Sequence, residues 1–157
     1  MTIEYSEVLE TLAGVSVTLA GFIGVVVVFQ KSSVKADQNA KYHLLLSSLS
    51  VLGLALLPLI LQPIVQDSLT IWRICNPLMG GVHLLGASRG IFDSRKGESK
   101  IPVLLFAPVS FLLFGGSIAI ALGFFSAYAS FVYFFGLTWS LAVASVAFAS
   151  LVSQDGT

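Results

Sequence analysis

The stretch between residues 69 and 88 places polar side chains at a helical spacing. They recur at steps of three and four residues and share one face of a helix: Arg73, Asn76, Gly80, His83 and Ala87. Charged and imidazole groups at membrane depth are costly, so we expect this face to turn towards protein or water. One interpretation is structural, with Arg73 reaching the membrane surface and His83 bonded inside a helix bundle. The other is a gate, a proton-sensitive site or a ligand contact, and it predicts pH dependence centred on His83, because an imidazole titrates at about pH 6.5.

A second face with small and polar residues runs along the first apolar stretch. Its members recur at steps of four and three: Glu7, Thr11, Gly14, Thr18, Gly21 and Val25. Small residues let membrane helices approach closely and let hydroxyls bond between helices, which favours a packing face. The alternative is a water-filled path lined by Thr11 and Thr18. Glu7 and Glu10 would then lie at its outer mouth, where carboxylates attract cations.

Arg73 also has candidate partners of opposite charge. Glu7 and Glu10 are expected at the outer end of the first helix, and Arg73 near the outer end of the third. An ion pair between Arg73 and either glutamate would reduce the cost of burying both charges. We therefore predict a link between the first and third helices, within one subunit or between neighbours.

The sequence offers little for catalysis or metal binding. His43 and His83 are far apart, no HExxH segment exists, and the single Cys75 rules out a CxxC motif, so no standard zinc site is indicated. No GxSxG or P-loop segment occurs either. The remaining catalytic alternative is an intramembrane enzyme that uses His83 with Glu10. We expect no enzyme, no cofactor and no metal.

These residues lie in a chain dominated by apolar side chains. Of its 157 residues, 56% are hydrophobic and 10% are charged, with a mean hydropathy of +0.93. An ordinary soluble domain carries roughly 25% charged residues. A helix needs about 20 apolar residues to cross a hydrocarbon layer. Four clear spans and one doubtful one, 69–88, are predicted: about 8–30, 44–66, 69–88, 101–124 and 127–152. The prediction is an all-α integral membrane protein with a single transmembrane domain over residues 1–157.

The placement of the cations decides the doubtful stretch. Lys and Arg are retained on the cytoplasmic side of short membrane loops. Seven cations lie in the first and third connections: Lys31, Lys35, Lys41, Arg89, Arg95, Lys96 and Lys100. They fall on one side only if 69–88 crosses the membrane. This predicts five spans in the plasma (inner) membrane, with the N-terminus outside and the C-terminus in the cytoplasm. The alternative is four spans with 69–88 interfacial or re-entrant.

The formal net charge of zero is then a cancellation between two faces. The cytoplasmic side carries seven cations against four carboxylates, a net charge of +3: Asp37, Asp93, Glu98 and Asp155. The outer side carries Arg73 against four carboxylates, a net charge of −3: Glu4, Glu7, Glu10 and Asp67. With no strongly basic field, the chain is not expected to bind nucleic acid.

Five short helices leave little room for a complete path inside one subunit. We therefore expect a homo-oligomeric channel or pore that conducts ions and is lined by the first and third helices. The first alternative is a non-conducting membrane subunit or scaffold that recruits a partner through its basic cytoplasmic cluster: Arg89, Arg95, Lys96 and Lys100. Anionic lipid headgroups are another expected partner of that cluster. A small-solute transporter is the third reading.

Overall fold

The polypeptide folds almost entirely into helices. The computed structural model describes residues 6–29, 35–95 and 103–153, and within them no strand occurs. The helices run in chain order: α1 Ser6–Phe29, α2 Lys35–Leu61, α3 Ser68–Arg95, α4 Val103–Ala121 and α5 Ala129–Ser153. One turn of 3₁₀ helix, Ser126–Tyr128, leads into α5. The all-α prediction is confirmed for the part of the chain that is described.

Three of these helices are long and apolar enough to cross a membrane. The qualifying segments within residues 6–29, 35–95 and 103–153 are Ser6–Val25, Leu44–Leu61 and Ser126–Ala149. In α4, Phe106–Ala121 forms a shorter apolar helix. Helix α3 does not qualify, because polar groups such as Arg73, Asn76 and His83 interrupt it. Membrane insertion is therefore supported by three helices.

Prolines and a carboxylate set the boundary between α2 and α3. Helix α2 continues through Pro58, whose carbonyl accepts the Gln62 N–H at 3.0 Å, and it ends at Leu61, two residues before Pro63. Proline lacks the N–H that would continue a helix, which gives a physical reason for an end shortly before Pro63. Asp67 then caps α3, since its carboxylate accepts the N–H groups of Leu69 and Thr70.

The relative directions of the last three helices follow from their contacts. Asn76 reaches Ala129 and His83 reaches Gly136, and both pairs are separated by 53 residues. A constant offset means that α3 and α5 run parallel at matched depth. Against α4 the order reverses, because Arg73 lies by Gly123 while Gly80 lies by Ser117. Helix α4 is therefore antiparallel to α3.

Helix α5 is central to the bundle and contacts each of the other four helices. Helices α1 and α2 pack closely together, as do α3 and α4, while α1 and α3 are not a closely packed pair. Tyr133 of α5 is fully buried and donates its hydroxyl to the carbonyl of Leu54 in α2. The Trp72 ring lies 5.5 Å from that of Tyr133. The core of the protein thus lies around α5.

Candidate functional site

Asn76 is the most deeply buried polar residue on the face of α3 that runs from Arg73 to Ala87. Its side chain has no exposed surface. The amide nitrogen donates to the Trp72 carbonyl at 2.9 Å and to the Ala129 carbonyl at 3.0 Å, the latter at the start of α5. Its Oδ1 atom is buried and has no hydrogen-bond partner among the described residues. Asn76 therefore joins α3 to α5, with one acceptor left unused.

His83 repeats this arrangement two turns further along α3. Its Nε2 atom lies 3.1 Å from the Gly136 carbonyl oxygen and 3.3 Å from Ser140 Oγ, both in α5. Because a carbonyl only accepts hydrogen bonds, the contact with Gly136 requires Nε2 to carry the proton. The side chain is 6% exposed. His83 thus contacts α5 within one chain, the arrangement expected of a histidine bonded inside a bundle.

Small residues allow these contacts, because they let α3 approach both of its neighbours. A Cβ on Gly136 would lie 2.2 Å from Met79 Sδ and 3.4 Å from His83 Nε2. A Cβ on Gly80 would lie 2.8 Å from Ser117 Cβ in α4. Ser117 Oγ is buried without a hydrogen-bond partner in the described part of the chain. Gly136 therefore allows α5 to lie close to Met79 and His83, and Gly80 allows α4 to lie close to α3.

Arg73 differs in exposure from the other residues on this face of α3. Asn76, His83 and Ala87 are buried, whereas Arg73 is exposed at the start of α3. Its Nη2 atom lies 3.4 Å from the position that a Cβ of Gly123 would occupy. Arg73 therefore lies on the surface of the chain, and its reach to the membrane surface stays a prediction.

The predicted pairing of Arg73 with the first helix does not form inside one chain. Glu7 and Glu10 are exposed on α1, and neither makes an ion pair with Arg73 among the described residues. The physical reason is the order of packing, since α1 lies beside α2 and α5 and not closely beside α3. The pairing between neighbouring subunits stays a prediction.

The small and polar face of α1 points out of the bundle along its whole length. All its members are exposed: Glu7, Thr11, Gly14, Thr18, Gly21 and Val25. The opposite face carries the buried residues Leu9, Ala13 and Ser16, which pack inwards. We call the exposed set, from Glu7 to Val25, the outer face of α1. No part of residues 6–29, 35–95 or 103–153 covers it.

The hydroxyls on this outer face bond to their own helix. Thr11 Oγ1 donates to the Glu7 carbonyl at 2.8 Å, and Thr18 Oγ1 donates to the Gly14 carbonyl at 2.9 Å. A Cβ added to Gly14 or Gly21 would meet nothing within 4 Å. The face therefore combines satisfied hydroxyls with open space above the glycines.

Of the predicted basic cluster, only part can be placed. Arg89 is exposed on α3, and Arg95 is the last residue of that helix. The side chain of Arg95, and Lys96 and Lys100 entirely, lie outside the described residues. The recruitment of a partner by this cluster stays a prediction.

Several residues of α4 and α5 that pack against α3 were not singled out as candidate site residues from sequence. Tyr133 and Ser117 gave no signal, because a tyrosine or a serine in an apolar helix has many uses. Gly136 and Ser140 lie four residues apart, a spacing that puts both on one face of α5. That spacing indicated a packing face, but it did not identify His83 as the partner.

The described residues give no metal centre. No group of three or more His, Cys, Asp or Glu side chains in this part of the chain could hold a metal ion. Cys75 is free and buried. Searches of protein-family models, curated proteins and solved structures gave no match to this chain. What the protein does must therefore be argued from its own geometry.

Proposed function

We propose that this protein is a homo-oligomeric integral membrane protein that assembles through the outer face of α1 and conducts ions between the assembled α1 helices. The observation that carries the proposal is the exposure of that face. On a helix apolar enough to span, one side presents Glu7, Thr11 and Thr18 with two glycines, and none of the described residues covers it.

A second copy suits this face better than lipid does. Membrane helices associate through small residues, and Gly14 and Gly21 leave open space for a neighbouring backbone. Around a closed ring of copies, Thr11 and Thr18 supply hydroxyl oxygens to a path. Glu7 supplies a carboxylate at its end, which favours cations.

Helix α3 takes a supporting role in this proposal and no longer lines the path. The side chains of Asn76 and His83 are engaged with α5 carbonyls inside one chain. They fix α3 against α5, which in turn contacts α1 and α2. The path is therefore assigned to α1 alone.

We further propose that all five helices cross the membrane, with the N-terminus outside. The parallel register of α3 and α5 supports this, because a helix matched in depth to a spanning helix crosses the same layer. The polar groups of α3 are tolerable there since α4 and α5 cover them. The first and third connections carry the Lys and Arg residues, which are retained on the cytoplasmic side of a plasma membrane. Their placement gives the orientation of the five helices.

Assembly is tested by disulfide cross-linking in vesicles. In a Cys75→Ala background, Thr18→Cys places a thiol on the outer face of α1, and Leu112→Cys places one on α4, where the native side chain is 75% exposed. We expect oxidation to give cross-linked dimers with Thr18→Cys and few with Leu112→Cys. Equal yields from both would contradict assembly through α1.

Conduction is tested with the full chain in vesicles that report K⁺ and Cl⁻ flux. We expect K⁺ flux above that of empty vesicles, reduced about tenfold or more by Thr18→Phe because an apolar constriction dewets a path. Leu112→Phe is the matched control and should leave the flux unchanged. Absence of flux, or flux insensitive to Thr18→Phe, would exclude a path along α1.

A non-conducting membrane subunit is the second candidate. It is favoured by the engagement of four of the polar groups that the sequence offered to a path: Asn76 and His83 with α5, and the two threonine hydroxyls with their own helix. Cross-linking through Thr18→Cys without any ion flux would select this candidate over the channel.

A further inference from the structure

We propose that Arg73 and the connection between α4 and α5 form a binding site for the phosphate of a phospholipid headgroup. We call residues 122–128, which make this connection, the aromatic turn. The proposal requires that the bundle is inserted in a membrane, but it does not require that the protein conducts ions.

The backbone of the aromatic turn is fixed by the end of α4. Gly123 donates its N–H to the Ile120 carbonyl and Phe124 donates to the Ala119 carbonyl, both at 2.9 Å. This pair of bonds is the Schellman motif, whose central residue adopts a left-handed conformation. Gly123 has φ of 93°, which a residue with a side chain rarely adopts. Glycine is therefore required here by the turn itself.

The same glycine provides the place where Arg73 rests. The Nη2 atom of Arg73 lies 3.4 Å from where a Cβ of Gly123 would be, so the guanidinium lies against bare backbone. The antiparallel packing of α3 and α4 brings the two residues together. The position of the cation is thus set by α3, and the turn leaves room for it.

The charge of Arg73 is not neutralised by an ion pair within the described residues. The carboxylate nearest in sequence, Asp67, already accepts three hydrogen bonds, from Leu69 N–H and from the N–H and hydroxyl of Thr70. Arg73 has only a through-space interaction with it. An exposed guanidinium of this kind can bind a phosphate through two parallel hydrogen bonds.

Exposed aromatic side chains follow Gly123 within the aromatic turn. Phe124, Phe125 and Tyr128 are 62%, 70% and 62% exposed. Phe125 also adopts a left-handed conformation with φ of 55°, which is unfavourable for a large side chain. In a turn exposed to water, Asn or Gly adopts this left-handed conformation at a lower energy than Phe does. The aromatic ring is therefore placed where contact with an apolar phase offsets the strain.

The depth of the aromatic turn in the membrane indicates which ligand binds beside Arg73. The apolar segment Ser126–Ala149, long enough to span, begins inside the aromatic turn. The turn consequently lies where the hydrocarbon layer ends, the depth at which aromatic rings collect and where lipid phosphates begin. Charge complementarity with Arg73 then selects the phosphate of a lipid headgroup, and an anionic lipid over a zwitterionic one.

The test is photo-crosslinking from within the turn. The full chain, with Phe125 replaced by the photoreactive residue p-benzoylphenylalanine, is placed in vesicles of equimolar phosphatidylglycerol and phosphatidylcholine, and crosslinked lipids are counted by mass spectrometry. We expect about fivefold more phosphatidylglycerol than phosphatidylcholine. Arg73→Gln should remove the preference, and Arg73→Lys should keep part of it. Arg89→Gln is the matched control, because Arg89 is an exposed arginine on the same helix, about 24 Å away.

Each remaining outcome contradicts the proposal. Equal crosslinking of the two lipids with Arg73 present excludes a phosphate-selective site. An equal loss of preference in Arg73→Gln and Arg89→Gln indicates only a general effect of positive charge. Loss of lipid crosslinks on addition of inorganic phosphate assigns the site to a free anion. Crosslinks from residue 125 to a second copy assign the turn to a protein interface.

Discussion

At the scale of single residues, two side chains of α3 meet α5 in the same manner. Asn76 and His83 are seven residues apart, and each places a side-chain nitrogen within hydrogen-bonding distance of an α5 carbonyl. Seven residues are two helical turns, so both lie on the same side of α3. Two such bonds fix the rotation of α3 and its shift along α5. Their first effect is thus structural.

Asp67 supports the beginning of the same helix, and its contribution should depend on pH. The Thr70 hydroxyl bonds the carboxylate at 2.6 Å, and this bond, followed by that of the Thr70 N–H, holds the pKa of Asp67 below its ordinary value of 3.8. A folded-state pKa lower than the unfolded one stabilises the fold above pH 3.8. That stabilisation is lost as the pH falls through the lowered pKa.

Replacement of Asp67 separates capping from charge. Asp67→Asn keeps a side-chain oxygen that can cap α3 but carries no charge, so the midpoint of thermal unfolding in detergent should fall slightly at pH 7. It should then fall less than that of the unmodified chain between pH 4 and pH 2. Asp67→Ala should lower the midpoint already at pH 7 because it removes the cap. Circular dichroism of the helices measures each midpoint. Identical pH dependence of the unmodified chain and Asp67→Asn would contradict a lowered pKa.

At the scale of elements, α3 carries several polar residues and yet packs within an apolar bundle. Asn76 and His83 face α5, and Gly80 faces α4. Without a hydrophobic drive between helices in lipid, close contact and satisfied polar groups must supply the stability. The small residues at the helix crossings are consequently as important to α3 as its apolar ones.

The crossing of α3 and α4 is tested at Gly80. Gly80→Ala places a Cβ 2.8 Å from Ser117 Cβ, an atom next to the backbone that cannot swing aside. We expect a destabilisation of about 1–3 kcal/mol, because the two helices must separate. Gly86→Ala on the same helix meets nothing within 4 Å, so it should be neutral or slightly stabilising. Unfolding in detergent with added denaturant measures both.

A compensating change makes this prediction specific. Ser117→Gly removes the Cβ that the alanine at position 80 would meet, so the double variant Gly80→Ala with Ser117→Gly should recover most of the lost stability. If the double variant is as unstable as the sum of the single ones, the contact between these two residues does not set the helix spacing.

At the scale of the whole molecule, α5 organises the bundle and α1 is left open. Because α5 contacts all four other helices, it fixes the depth of each. Helix α1 uses only its inner face for this, and its outer face carries groups that lipid does not satisfy well. The proposals of assembly through α1 and of a crossing by α3 both rest on this arrangement.

The crossing of α3 is tested by labelling from two sides. Ser68 and Ser94 are exposed near the two ends of α3 and about 39 Å apart along it, more than the roughly 30 Å of a hydrocarbon layer. In a Cys75→Ala background, we expect an impermeant maleimide outside cells to label Ser68→Cys. Ser94→Cys should be labelled only after permeabilisation. Labelling of both from outside would show that α3 does not cross, and labelling of Ser94→Cys alone would reverse the orientation.

The positions of helices could be predicted from the sequence because they depend on local properties. The sequence directly shows three such features: apolar runs of span length, the prolines after residue 57 and the uncharged connection FFSAYAS. The structure bears out the all-helical fold of the described residues. Three of the five predicted spans pass the length and apolarity test. The third stretch was doubtful from sequence because its polar residues lower its hydropathy whether they face lipid or protein.

The sequence by itself determined that Asn76 and His83 share a face of one helix and that small and polar residues share a face of α1. Only the tertiary structure decided that the first face is covered by α5 and the second is uncovered. Periodicity fixes which side chains point the same way along a helix, because it follows from 3.6 residues per turn. The neighbour that each face meets depends on contacts between residues about 50 positions apart, and these are set by the packing of Gly80, Ser117 and Gly136.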